Sequence, residues 1–162
     1  MKVAAQRHLS DSVKAFLLEE ADLLDQCRYS DWELLWAEQG EYWIPAGRED
    51  YDPRWNLSIV YDDRAELHNR VKRLLSGAAY TQEPRSQLRR TVSNVQLMKS
   101  DRGFVETTSN FVLLEFRRQR WTTWAGRTEH RLQRTPTGFR IERKTVRLVG
   151  SDGALPMLQF LL

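Results

Sequence analysis

Around Pro84 the hydrophobic period of this chain changes from three or four residues to two, and that change limits the possible folds more than any other feature. Before it, Val13, Phe16, Leu17, Leu24 and Cys27, with Ala21 between them, mark one face of a helix over about 11–26. Ser30 and Glu33 stand at capping-box spacing, which predicts a short second helix through about Ala37. A third helix is signalled by Asp63 as N-cap with Glu66 three residues on. It carries Leu67, Val71, Leu74 and Leu75 on one face and stops at Gly77. Beyond Pro84, alternation predicts strands over 92–98, 105–116, 128–133 and 139–149, with Thr135-Pro136-Thr137-Gly138 as a hairpin turn. Helices first and long antiparallel strands after predict an α+β fold, with N-terminal helices closing one face of a strongly bent sheet.

At 162 residues the chain reads as one domain spanning 1–162, large enough to bury about two-thirds of the surface its unfolded form exposes. The single cysteine, Cys27, excludes an internal disulfide. Its place at the end of an apolar stripe predicts a buried, inert thiol in a reducing, cytoplasmic setting. No apolar run reaches the ~18 residues of a membrane span and none resembles a secretory signal, so a soluble protein is expected. Lys and Arg number 25 against 22 Asp and Glu, too mild an excess to call for nucleic acid. The run Arg117-Arg118-Gln119-Arg120-Trp121 has the chemistry for such a partner, but it continues an alternating strand whose outer face must be polar anyway.

Redox chemistry finds no ligands here. A Rieske cluster needs two Cys and two His, and a mononuclear oxygenase iron needs two His and a carboxylate. His8, His68 and His130 fall in an N-terminal tail, a helix and a strand, without paired spacing, so no metal or cofactor of its own is expected. Neither a Gly-rich phosphate loop nor a nucleophile elbow is present.

Three polar-aromatic signatures remain. They are Arg28-Tyr29-Ser30-Asp31-Trp32; Tyr61-Asp62-Asp63-Arg64 leading to Arg70-Val71-Lys72-Arg73-Leu74; and Pro84-Arg85-Ser86 followed by Arg89-Arg90 and Ser93-Asn94. Charged residues are seldom fully buried unless paired, so Arg and Asp interleaved with Tyr and Trp indicate ion-paired networks or a partner surface. Asp62 and Asp63 with Arg64, Arg70, Arg85, Arg89 or Arg90 could pair bidentately within the chain or across a contact. Trp32, Trp36, Trp43, Trp55 and Tyr61 are candidates for core or for interface anchors, and Gly47–Asn56 reads as a functional loop.

Ordered along the chain with Phe16-Leu17-Leu18-Glu19-Glu20-Ala21-Asp22-Leu23-Leu24-Asp25, Tyr42-Trp43-Ile44-Pro45, Trp124-Ala125-Gly126-Arg127 and Arg143-Lys144-Thr145-Val146, these signatures resemble one family over nearly the whole sequence. It is the small (beta) subunit of the aromatic-ring-hydroxylating dioxygenases. The resemblance implies a cystatin-like cone of the nuclear transport factor 2 type and a non-catalytic, structural role in a catabolic oxygenase. It implies a Rieske [2Fe–2S] cluster and a mononuclear Fe(II) in the large (alpha) subunit, and an α3β3 assembly of large and small chains. Electrons would arrive only indirectly, from a ferredoxin or reductase. No nucleic acid and no membrane are implied. Interface candidates on this reading are Arg28, Tyr29, Trp32, Tyr61, Asp62, Asp63, Arg64, Arg70, Arg73, Arg85, Ser86, Arg89, Arg90 and Asn94. Gln87 and Leu88 depart from the family pattern, and the general cast of the chain leans toward relatives acting on benzoate or anthranilate.

The same fold offers a second reading, a free-standing isomerase or dehydratase using Tyr29, Asp31, Asp63 and His68 as a cavity acid–base set. Bulky Phe111, Leu113, Trp121 and Trp124 filling the cone would exclude it. A third, a binding module outside any oxygenase, requires the absence of a Rieske-type partner gene.

Overall fold

A computed structural model describes residues 2–47, 52–76 and 84–162, with side chains from residue 4 onward. Helix α1 spans Lys2–Asp25, α2 Tyr29–Glu33 and α3 Arg64–Leu75. The strands are β1 Trp36–Pro45, β2 Ser58–Asp62, β3 Gln87–Ser100, β4 Phe104–Arg117, β5 Arg120–Thr135 and β6 Gly138–Leu148. They form one six-stranded sheet in the order β2-β1-β6-β5-β4-β3, antiparallel except where β1 runs parallel to β6.

The α+β cone is as expected, and α3 begins as expected. The Asp63 carboxylate accepts from the Ala65 and Glu66 amides at 2.9 Å each, and Glu66 closes the box on the Asp63 amide. Leu67 and Val71 of its stripe are buried, but Leu75 is exposed; the Gly77 stop and loop positions 48–51 lie outside the described residues.

The second helix differs. Ser30 does not cap it: Arg28 holds the N-cap position without a side-chain bond, and the helix ends at Glu33. Tertiary bonds prevail over the local motif, because Glu33 accepts from Arg64 at 2.7 Å, and the chain is drawn into the sheet where the Ile141 amide bonds Leu35 O at 2.8 Å. Strands β1 and β2 were not expected. The burial of β1 does not alternate, and its pairing with β6 shifts register between Trp36 and Glu41, where Gly40 admits the Trp36 ring against the backbone. A further shift between Ser93 and Gln96 accommodates Asn94 at φ +51, a conformation asparagine tolerates better than most residues.

Alternation on β4 points Val105, Thr107, Ser109, Phe111, Leu113 and Glu115 toward the helices. There they join Val13, Leu17 and Leu24 of α1 and a triangle of edge-to-face rings, Trp32, Trp36 and Tyr42, with centroids 5.3–6.0 Å apart. Trp124 packs edge-on against Phe160 at 5.8 Å. Of the four bulky residues whose filling of the cone would exclude a substrate, Trp121 lies exposed on the opposite sheet face, because its register with Phe116 places both side chains outward.

Candidate functional site

Two surfaces could carry function in such a cone: its interior, and the sheet face that no helix among the described residues covers. The interior is dominated by a carboxylate at a core position of α1. Glu20 Oε1 accepts from Lys144 Nζ of β6 at 2.6 Å and from Trp32 Nε1 of α2 at 3.1 Å; its Oε2 lies 2.8 Å from His130 Nε2 of β5. All four side chains are buried. Burial opposes the charge on Glu20, but Lys144 and His130 outweigh it and hold the carboxyl far below its ordinary 4.5. Burial pushes Lys144 below its ordinary 10.5, against the pull of Glu20. The space beside this cluster is about 30 Å³, lined also by Leu17, Phe111 and Leu162, room for a water rather than for a ring. Phe111, Leu113, Trp124 and Phe160 are buried around it, and a separate space of about 180 Å³ lies between Tyr42, Val60, Arg70, Phe160 and Leu161.

The acid–base set expected of an isomerase is dispersed. Tyr29 is buried with its hydroxyl 3.5 Å from Cys27 Sγ, and burial raises its pKa. Asp31 pairs with Arg28 at the surface, Asp63 caps α3, and His68 Nδ1 lies 2.8 Å from Glu33. Cys27 is half-buried and is the φ +55 residue that turns the chain from α1 into α2.

The Arg and Asp signatures are largely engaged within the fold. Arg70 forks onto Asp62, with Nη2 donating to Oδ1 at 2.9 Å. Arg90 joins β3 to α1 through Asp25, by its side chain at 2.7 Å and its amide at 2.8 Å, and also reaches Leu161 O. Arg64 holds Glu33, and Ser86 Oγ donates to Glu115, which also accepts from Trp124 Nε1 at 3.0 Å. Trp32 and Trp36 are core, whereas Trp43 is buried on the outer sheet face, with the Arg147 guanidinium 5.6 Å from its ring centre. Arg28, Tyr61, Arg73, Arg85, Arg89 and Asn94 lie at the surface, Tyr61 donating to Glu41 at 3.2 Å.

The uncovered sheet face is divided. Across its β1–β6–β5–β4 side, Arg131 bonds Glu106 and Glu142, Arg147 bonds Glu129, and Arg143 bonds Glu41. These charges line a concavity of about 620 Å³. Toward β3, Val112, Leu114, Phe116 and Trp121 form an apolar patch. The buried Glu20 cluster was missed because a charged residue inside an apolar stripe reads as polar. Its signal was position, since Glu20 falls on the same helix face as Val13, Leu17 and Leu24.

Among the described residues no three His, Cys, Asp or Glu side chains are placed to hold a metal ion, and one cysteine cannot ligate a Rieske cluster. No helix among them is long and apolar enough to cross a membrane.

Residues 19–152 match the family model described as the ring hydroxylating beta subunit. The small oxygenase component of the p-cumate 2,3-dioxygenase system of Pseudomonas putida is 31% identical over 134 residues, covering 82% of this chain and 74% of that protein. The anthranilate 1,2-dioxygenase small subunit of Acinetobacter baylyi is 31% identical over 138 residues, covering 82% and 85%. Among solved structures, the beta subunit of the benzoate 1,2-dioxygenase of Burkholderia mallei superposes with a TM-score of 0.76 at 21% identity, over 92% of this chain and 95% of that one. A protein of Novosphingobium aromaticivorans, described as NTF2-like with a cystatin-like fold, gives 0.64 at 14% identity, over 91% and 88%.

Proposed function

This chain belongs to the family of ring-hydroxylating dioxygenase beta subunits, and from that membership we propose that it is the structural stem of a terminal oxygenase that dihydroxylates an aromatic compound. As one domain, it holds catalytic large subunits in an α3β3 assembly within the cytoplasm. The Rieske cluster and the mononuclear iron belong to the large subunit, and reductase or ferredoxin act there. An aromatic carboxylate as substrate is supported by the likeness to anthranilate and benzoate enzymes.

The observation that carries the structural role is the filled cone. The space beside the buried carboxylate is about 30 Å³, an order of magnitude below a substrate pocket, while no helix among the described residues covers the outer sheet face. A chain with a closed interior and an open flank is suited to hold partners, not to turn over a substrate. Of the signature residues, Arg28, Tyr61, Arg73, Arg85, Arg89 and Asn94 are exposed enough to touch a partner directly. Tyr29, Trp32, Asp62, Arg64, Arg70, Ser86 and Arg90 act from behind, fixing the segments that present them, and Asp63, itself exposed, caps α3.

The test is activity with and without this chain. Removing it should abolish dihydroxylation while the large subunit retains its iron; full activity of the large subunit alone would contradict the proposal.

A further inference from the structure

Beyond β6 the chain forms neither helix nor strand, yet residues 160–162 belong to the core, none of them more than 5% exposed. Irregular backbone seldom lies inside a fold, because its polar groups lose water without gaining a ladder of partners. Here side chains take part of that role. The Tyr42 hydroxyl donates to Leu162 O at 3.2 Å and accepts from Leu162 N at 3.1 Å, and Arg90 Nη2 donates to Leu161 O at 3.3 Å. Upstream the segment is fixed where Gly47 N donates to Ser151 O at 3.1 Å and Ser151 Oγ donates to Gly47 O at 3.0 Å. Residues 152–154 then run exposed over the surface, and further on the Phe160 ring stands edge-on to Trp124, 5.8 Å between centres.

Packing is incomplete on both sides of this inserted end. Leu162 borders the 30 Å³ space beside Glu20 and His130, and His130 Nδ1 is buried without a hydrogen-bond partner among the described residues. Phe160 and Leu161 border the 180 Å³ space that reaches Ile59, Val60 and Arg70. Withdrawn, these three side chains would leave, together with the two spaces, a cavity in the range of small-molecule sites, roughly 300 Å³ upward.

What such a cavity would hold is indicated by what the segment supplies now. Tyr42 meets a donor and an acceptor of one amide, and Trp124 meets the edge of one aromatic ring. Lys144 is paired with Glu20, Arg90 with Asp25 and Arg70 with Asp62, so charge around the cavity is already compensated and a further buried charge would be costly. We infer that residues 160–162 are an internal ligand: the cone keeps a small-molecule site that its own chain occupies, and once vacated that site takes a neutral arylalkyl carboxamide. The arene replaces the Phe160 ring against Trp124, and the carboxamide replaces the Leu162 amide at Tyr42. This goes beyond the stem reading and assigns binding, not turnover.

The full chain, co-purified with its large subunit, is compared with its Leu161→Asp variant, in which a carboxylate at a buried position should drive the segment out while the anchor at Ser151 holds. Binding of a dye-labelled, amidated peptide of residues 155–162 is followed by fluorescence polarisation. The inference predicts that Leu161→Asp, with its circular dichroism unchanged, binds the peptide and releases it to 4-phenylbutanamide. In the parent the attached segment competes at an effective concentration on the order of millimolar, so the apparent affinity should be lower by about a hundredfold or more. A folded Leu161→Asp that ignores the peptide, or a parent that binds it equally well, overturns the internal ligand; peptide that 4-phenylbutanamide cannot displace overturns the ligand class. Should Leu161→Asp fail to fold, thiol labelling decides. In a Cys27→Ser background, Leu161→Cys should react at least about tenfold faster than Leu132→Cys, because the segment opens while the sheet stays closed. Equal rates would mean that it opens only with the whole fold, and the inference would fall.

Discussion

Lys144 Nζ lies 2.6 Å from Glu20 Oε1, with neither side chain more than 4% exposed. This pair ties the first helix to the last strand, and His130 and Trp32 bring β5 and α2 onto the same carboxylate. Four elements therefore meet at one buried charge. Desolvation offsets much of the attraction in such a pair, so its contribution lies in fixing one arrangement of α1 on the sheet more than in raising stability.

Glu20→Ala should consequently be costly in a way that truncation of an equally buried leucine is not, because it strands a buried ammonium. A loss of about 3–5 kcal/mol in urea unfolding is expected. Glu20→Leu combined with Lys144→Met should regain part of it, since both charges go together. A Glu20→Ala variant within about 1 kcal/mol of the parent would show that water reaches Lys144 freely.

Dependence on pH follows from the same two groups. Glu20 stays ionised in the fold well below its ordinary 4.5, so the unfolded chain takes up a proton there first. Its stabilising contribution is complete above that value and drains away as pH falls beneath it. Lys144 is lowered in the fold relative to 10.5, so the unfolded chain holds the extra proton between the two values, and stability gains from this group as pH rises toward 10.5. Urea midpoints taken from neutral pH down to about pH 3 should fall in the parent and fall less in the Glu20→Leu/Lys144→Met double variant; parallel curves would contradict this.

Asp62 and Asp63, adjacent in sequence, should respond differently to alanine. Asp63→Ala removes the cap of α3 and should cost about 1 kcal/mol. Asp62→Ala removes the forked partner of Arg70, whose guanidinium is partly exposed, and should cost about 1–3 kcal/mol. Thermal midpoints should fall by roughly 2–4 °C per kcal/mol in a domain of this size. A larger loss for Asp63→Ala than for Asp62→Ala would reverse the roles assigned to them.

Much of the fold was legible where signals are local. The Asp63–Glu66 box and the alternation of β4 need no distant partner to be read. Ser30 and Glu33 show the same spacing as a true box, yet Glu33 is claimed by Arg64 and His68 from α3, a contact 31 and 35 residues away that no local pattern encodes. Strand β1 was hidden for a related reason: it is buried at successive residues from Tyr42 to Pro45 between β2 and β6, so its alternation is lost. Trp121 alternates correctly with Trp124 only once the register of β4 and β5 is known. At the candidate site, the Arg and Asp signatures could be recognised as paired, but Asp25 for Arg90 and Glu33 for Arg64 required the tertiary fold.

The central claim is that this chain holds catalytic subunits together without catalysing. Native mass spectrometry of the complex purified from cells that make it, with iron determined on each separated chain, tests this most directly. The account predicts a hexamer of equal numbers of large and small chains, with iron in the large chain alone. A homo-oligomer of the small chain that binds no large subunit would contradict it.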